Sequence, residues 1–310
     1  MPAPRTYSFT RYLSAKKSVD DRALNRHVWG SLLHALPLNG LDIPLRVLEV
    51  GAGTGAMFER MLDWSLLKFA DYTALDLHEE NIACARQALP GWAIRRGYAC
   101  QANPDGSLVF SGDGLRVLLH LEAIDLHEFI ARQAGAGWDL LVAQAFLDLL
   151  DIPAILPPLL SLCRPGGLFY FTINFDGLTL LEPAIDPAFD ALIQDLYHRT
   201  MDERMVGGVP SGDSRLGRHL FSYLQAAGAH IMDAGASDWV VFPVLGGYPQ
   251  DEAYFLHFII HTIHQALDGN QELDAPRFER WIAARHVQIE RSELVYIAHQ
   301  LDFLGRVAGG

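Results

Sequence analysis

From residue 45 to about 175, short apolar runs alternate with stretches whose apolar residues recur every three or four positions. The runs at 46–50, 71–75, 115–121, 138–143 and 167–173 predict strands, and the helical periods predict helices near 54–69, 79–89, 126–134 and 152–163. Strands that alternate with helices form a parallel sheet, because a parallel pair needs a crossover of a dozen or more residues. One stretch breaks the rhythm. Two strand-like pieces, AIRRGYACQ and SLVFS, flank Asn103-Pro104-Asp105-Gly106, and that turn sequence predicts a surface hairpin ahead of the third core strand.

After residue 176 the pattern changes to a helix over 187–205, a Gly/Pro/Ser loop over 206–213, a helix over 214–227, and strands at 229–233 and 238–242. Those two strands are too close for a parallel crossover, so they pair as an antiparallel hairpin or sit apart. Residues 251–307 read as helical and aromatic-rich. At the other end, Ser18 with Asp21 predicts a capping box for a helix through Leu36, with Leu24, Val28, Leu32 and Leu36 on one face. The chain therefore divides into an N-terminal helical segment (1–40), an α/β core (41–245) with insertions at about 93–115 and 177–213, and a C-terminal helical segment (246–310).

Composition narrows the function classes. Lys+Arg number 24 against 37 Asp+Glu, a net charge of −13, and no basic cluster exceeds two residues, so a nucleic-acid partner is not expected. Cys84, Cys100 and Cys163 are scattered singly and signal neither a disulfide framework nor a zinc site. The first residues hold no apolar signal-like run, and no stretch reaches the ~18 apolar residues of a bilayer helix. A cytoplasmic protein without a membrane partner is the expectation.

The candidate chemistry sits in VLEVGAGTG, where the first strand opens into Gly51, Gly53 and Gly55. Such a turn lets backbone approach a nucleotide cofactor closely, because glycine carries no Cβ. The spacing alone leaves two cofactor classes open: Gly51, Gly53 and Ala56 satisfy GxGxxG/A as well as Gly51, Gly53 and Gly55 satisfy GxGxG. Glu49 separates them, since a carboxylate at the strand mouth suits a cationic ligand and would repel a pyrophosphate. Asp76, about 20 residues past the last glycine, is placed to bind ribose hydroxyls in either class, or to cap the helix that begins near Glu79.

The stretch resembles motif I of the class I S-adenosylmethionine-dependent methyltransferases. The resemblance implies a doubly wound, mostly parallel seven-stranded α/β sheet closed by an antiparallel pair, with S-adenosyl-L-methionine as cofactor, bound at Glu49, Gly51, Ala52, Gly53, Gly55, Asp76 and Leu77. Leu121-Glu122-Ala123-Ile124-Asp125-Leu126 resembles the family's GDAxDL-type segment, with Glu122 and Ala123 toward adenine and Asp125 in reserve or as a helix cap. Ala143 and Gln144, leading into Ala145-Phe146-Leu147-Asp148, resemble the post-strand segment that lines the methionine end and the acceptor. Leu162-Cys163-Arg164-Pro165-Gly166-Gly167-Leu168 looks like the family's LxPGG turn. Family members often fold an N-terminal segment over the cofactor, so residues 1–40 become a lid with Tyr12 and Arg22 as contacts, or a packing helix with solvated charges.

The implied activity is methyl transfer to a small-molecule acceptor, with the C-terminal segment as a cap over the acceptor pocket. Tyr254, His257, His261, His264 and Asp268 share one helical stripe. That stripe is read as a pocket wall or as a satisfied or solvated face; no metal site is expected. His198 and His261 are the candidate bases, and Phe146, Asn174 and His198 are the alternative acceptor-side residues. Two rivals stay open: an NAD(P)-dependent oxidoreductase and a non-catalytic cofactor-binding module.

Overall fold

The computed structural model of the chain describes residues 1–36, 43–112, 114–133, 135 and 137–309. Helix α1 (Phe9–Ala23) starts at Ser8, whose hydroxyl accepts the Arg11 N–H, and α2 (Arg26–Ala35) starts at Asn25, whose side chain accepts from His27 and Val28. The expected single helix capped by Ser18 and Asp21 is thereby corrected. Ser18 lies inside α1, where its hydroxyl donates to Glu252 at 2.7 Å. The boundary read near residue 40 falls outside the described residues.

The core then runs β1 (Leu45–Val50), α3 (Ala56–Asp63), β2 (Phe69–Asp76), α4 (Glu79–Arg95), β3 (Ala99–Ala102), β4 (Leu108–Gly112), β5 (Leu115–Ala123), α5 (Leu126–Arg132), β6 (Trp138–Gln144), α6 (Ile152–Leu160) and β7 (Cys163–Glu182). After it come α7 (Pro187–Asp202), a small hairpin β8 (Met205–Val206) and β9 (Val209–Pro210), α8 (Leu216–Ala226), β10 (His230–Ala236), β11 (Trp239–Val241), α9 (Glu252–Leu267), α10 (Ala275–Glu290) and β12 (Val295–Arg306). The hairpin's first strand begins at Ala99 and not at Ala93, because α4 continues through Pro90 to bury Trp92 and Ala93.

Strands β5, β2, β1, β6 and β7 are parallel neighbours, and the edge beyond β5 carries the antiparallel hairpin β4–β3. On the other edge β12 lies antiparallel between β7 and β10, and it also pairs with β11. The main sheet thus has ten strands, not seven, and the closing antiparallel contacts belong to β12 rather than to a pairing of 229–233 with 238–242. Residues 295–306 escaped the strand reading because the buried positions Gln300 and Asp302 are polar while the opposite side carries Ile297 and Leu301, which erases the apolar–polar alternation.

Both sheet faces are covered. One face buries α1, α2, α3, α4, α7, α9 and α10, and the other buries α5, α6 and α8. Helices α1 and α9 pack on each other, so the N-terminal and C-terminal segments meet over the first face. No helix among the described residues is long and apolar enough to cross a membrane.

Candidate cofactor site

At the carboxyl edge of β1 the backbone turns sharply. Gly51, Gly53 and Gly55 hold φ of +68°, +55° and +85°, a region where a Cβ clashes with the backbone. A Cβ on Gly51 would also lie 2.3 Å from the Phe146 ring, and one on Gly53 would lie 3.2 Å from Leu13 of α1. The turn is thus a cradle roofed by the segment after β6 and by α1. Ala52 ties it to the neighbouring strand, donating its N–H to the Leu75 carbonyl at 2.8 Å.

Asp76 ends β2 beside this turn. Its Oδ2 accepts the Gly53 N–H at 2.8 Å, and its Oδ1 accepts the His78 N–H at 2.9 Å and an Asn81 amide proton at 3.0 Å. The carboxylate therefore fastens the glycine turn to the start of α4. Leu77 next to it is 62% exposed, a large apolar side chain held at the mouth of the site. The Ile124 N–H donates to the Asp76 carbonyl at 2.9 Å, which sets the Ala123 backbone beside Asp76.

Glu49 points from β1 into the face covered by α3. Tyr72 donates its hydroxyl to Oε2 at 2.7 Å, and burial pushes the carboxyl up to about 7, against the Tyr72 hydrogen bond and the Arg60 charge and with the help of Asp76. Next to it, a polar layer lies between α1 and the ends of β6, β7 and β12. Gln144 donates to Oδ2 of Asp20 at 2.7 Å and accepts from Arg60 at 2.6 Å, while Arg60 also pairs with Asp21. Lys16 pairs with Asp20 at 2.6 Å and Trp239 donates to Asp20 at 2.8 Å.

Several oxygens in and around this layer are shielded from solvent and have no hydrogen-bond partner: Thr172 Oγ1, Tyr170 Oη, Gln300 Oε1 and Asp148 Oδ1. Buried polar atoms are ordinarily satisfied, so these mark where a polar ligand or water completes the structure. The backbone is unusual at the same place. Ala145 and Ile173, which leave β6 and bend β7, take φ of +48° and +57° without being glycine. Asp302 of β12 accepts the Ile173 N–H and the Asn25 N–H, each at 2.8 Å, and so holds that bend and the start of α2 together.

The remaining candidates have protein partners of their own. Glu122 pairs with Arg132 of α5 at 2.7 Å and lines a cavity of about 210 Å³ with Thr73, His120 and Trp138, on the face opposite α1. Asp125 caps α5 by accepting from His127 and Glu128. Arg22 makes a two-pronged ion pair with Glu252 of α9, at 2.5 and 2.8 Å, and Tyr12 stacks between Phe255 and Phe258. Both tie α1 to α9.

The α9 stripe clasps the N-terminal segment and α10. Tyr254 accepts the Ser8 N–H at 2.6 Å, His257 reaches the Met1 carbonyl at 3.1 Å and His286 at 2.9 Å, His261 stacks on Tyr7 at 3.9 Å, and His264 pairs with Glu279 at 2.8 Å. Asp268 is exposed at the end of the helix. His198 is half-buried, its Nε2 3.2 Å from Thr179 Oγ1, and burial lowers its pKa. Asn174 donates to the Leu301 carbonyl at 2.8 Å. No group of three or more His, Cys, Asp or Glu side chains that could hold a metal is found among the described residues. Asp20 and Arg60 carried no role in the sequence reading, because they come together at Gln144 only once α1 and α3 are folded.

No family model and no curated protein matches this chain. Among solved structures it is similar to phospholethanolamine N-methyltransferase 2 of Haemonchus contortus, in complex with phosphomonomethylethanolamine and S-adenosylhomocysteine, at 10% identity and TM-score 0.43, with 99% of this chain and 59% of that one covered. It is similar to a SAM-dependent methyltransferase from Thiobacillus denitrificans, in complex with S-adenosyl-L-homocysteine, at 14% identity and TM-score 0.43, covering 98% and 99%. A SAM-dependent methyltransferase from Methanosarcina mazei gives 10% identity and TM-score 0.42, covering 88% and 96%.

Proposed function

We propose that this chain is an enzyme that transfers a methyl group from S-adenosylmethionine to a small-molecule acceptor. The observation that carries the reading is the bond from the Gly53 N–H to Asp76. A pyrophosphate needs the free N–H groups of such a turn and tolerates no carboxylate on it. Here Asp76 occupies one N–H, and a carboxylate bonded to the turn suits a ligand with a sulfonium and an ammonium group. The sheet supports the same choice: a dinucleotide fold continues in parallel order past its fifth strand, whereas antiparallel β12 follows β7 here.

The residues present fit the cofactor. Gly51, Ala52, Gly53 and Gly55 would supply close-approach backbone, and the one lone-pair site Asp76 has left would take a ribose hydroxyl. Leu77 and the backbone of Ala123 would flank the adenine, with Asp125 beside them, while Glu49 would face the amino group. Ala143 and Gln144 would line the methionine end, under α1. Bound there, the cofactor supplies an electrophilic methyl on sulfur. The chain's own work is to orient the acceptor and exclude water, and α1, Leu13 and Phe146 are the groups placed to do the latter.

The net charge of −13 supports a small molecule rather than a nucleic acid as acceptor, and the three free cysteines fit a reducing cytoplasm. Calorimetry of the purified protein tests the reading. Micromolar binding of S-adenosylmethionine and S-adenosylhomocysteine with no response to NAD is expected; micromolar NAD binding with no response to S-adenosylhomocysteine would sink it.

A further inference from the structure

Three buried carboxylic acids are pushed toward neutrality by desolvation: Glu49 to about 7, and Asp148 and Asp302 to about 6. Two of them are engaged. Glu49 holds the Tyr72 hydroxyl, and Asp302 holds the backbone of Ile173 and Asn25. Asp148 differs, because only its own backbone N–H supports the carboxyl and its Oδ1 is shielded from solvent without a partner.

Its backbone, by contrast, is firmly placed. Asp148 sits in the short 3-10 turn Leu147–Leu149 directly after β6, and the connection between α7 and α8 grips that turn. The Ser211 hydroxyl donates to the Leu149 carbonyl at 2.6 Å, and Arg204 reaches the Asp148 carbonyl at 3.5 Å.

The charged and titratable groups within electrostatic reach of the carboxyl are Lys16 and Tyr12 from α1, Tyr197 from α7, and Arg204 and Asp213 from the α7–α8 connection. Lys16 is paired with Asp20, and Arg204 directs its Nε to the Ser211 carbonyl at 2.6 Å, so neither neutralises Asp148 by direct contact. Tyr296 completes the surroundings, within electrostatic reach of Tyr12 and Tyr197.

We propose that Asp148 is the proton acceptor of the methyl-transfer step, and that the substrate is a small protic molecule, a hydroxyl or amine N–H compound, that presents its proton to the unpartnered Oδ1. The proposal rests on the methyltransferase reading and adds a residue and a substrate class to it. A lone pair of the neutral acceptor forms the new bond to the methyl carbon, the C–S bond pair stays on sulfur, and the proton lost by oxygen or nitrogen goes to Oδ1 of Asp148. A carboxylate titrating near neutrality suits this task, since it is largely ionised at working pH and still basic enough to take the proton. His198, bonded to Thr179, and His261, stacked on Tyr7, are engaged elsewhere.

The test needs no acceptor. The carboxyl carbon of Asp148 is followed by NMR in protein labelled at aspartate Cγ, with Asp148→Asn identifying the signal, and pH titrations are run with saturating S-adenosylhomocysteine and with saturating S-adenosylmethionine. The two ligands differ by the methyl group and the sulfonium charge. The midpoint is expected near 6 with S-adenosylhomocysteine and lower by about half a pH unit or more with S-adenosylmethionine, because a cation a few ångströms away stabilises the carboxylate. Asp148→Asn should bind S-adenosylhomocysteine within about threefold of the unaltered protein. Equal midpoints with the two ligands, or a tenfold loss of S-adenosylhomocysteine affinity in Asp148→Asn, overturn the proposal while leaving the methyltransferase reading intact. If no aspartate signal responds to either ligand, the methyltransferase reading fails, and the role of Asp148 fails with it.

Discussion

Gly53 donates its backbone N–H to Oδ2 of Asp76 at 2.8 Å, a bond that joins the turn after β1 to the end of β2. It gives Asp76 two duties at once, since the same carboxylate also accepts from His78 and Asn81 at the start of α4. The sequence offered these as rival readings, ribose ligand or helix cap; the geometry makes them compatible, because a carboxylate has about four lone-pair sites and three are engaged.

Asp76→Ala should therefore lower both apo stability and cofactor affinity. Loss of the acceptor for three donors is expected to cost about 1–3 kcal/mol of stability, and loss of the ribose contact about 1.5–3 kcal/mol of binding. Denaturant unfolding gives the first, and calorimetry corrected for the folded fraction gives the second. An unchanged affinity per folded molecule would restrict Asp76 to its structural duty.

Glu49 makes stability and binding respond to pH in opposite directions. Its carboxyl is raised from an ordinary 4.5 to about 7, so the native state holds a proton that the unfolded chain has lost. Apo stability should fall as pH rises from about 4.5 through 7, by up to about 3 kcal/mol, with Asp148 and Asp302 adding the same sign up to about 6. Affinity for a cationic cofactor should rise through the same interval as the carboxylate forms. In Glu49→Gln both slopes should flatten; parallel slopes in variant and parent would show that other groups set them.

Arg22 ties α1 to α9 through Glu252, which is fully buried and also accepts from Ser18. Arg22→Ala leaves that carboxylate without its charge partner, and because the guanidinium is half-exposed the loss should be about 1–2 kcal/mol. S-adenosylhomocysteine affinity per folded molecule should not change. A tenfold loss of affinity in a folded variant would return Arg22 to the cofactor site.

The parallel core was legible because each of its strands is a short apolar run bounded by turn residues, and the Gly51–Gly55 cradle because positive φ at close quarters demands glycine. Strand β12 was not, since Gln300 and Asp302 are polar at buried positions, and the bonds Asp302 accepts from Asn25 and from the bend at Ile173 arise only in the folded sheet. The same limit hid the site's polar layer. Asp20 and Arg60 look like surface charges of two helices until α1 and α3 bring them together at Gln144. The α9 stripe is a satisfied face, one of the readings its spacing left open: the N-terminal residues Met1, Tyr7 and Ser8 occupy it.

A crystal structure of the protein grown with S-adenosylhomocysteine tests the central claim most directly. The account predicts the ligand across the carboxyl ends of β1 and β2, with a ribose hydroxyl about 3 Å from the Asp76 carboxylate and the amino-acid end directed under α1 toward Glu49 and Gln144. A ligand bound with its ribose away from Asp76, or a Gly51–Gly55 turn left empty at saturating ligand, would contradict it.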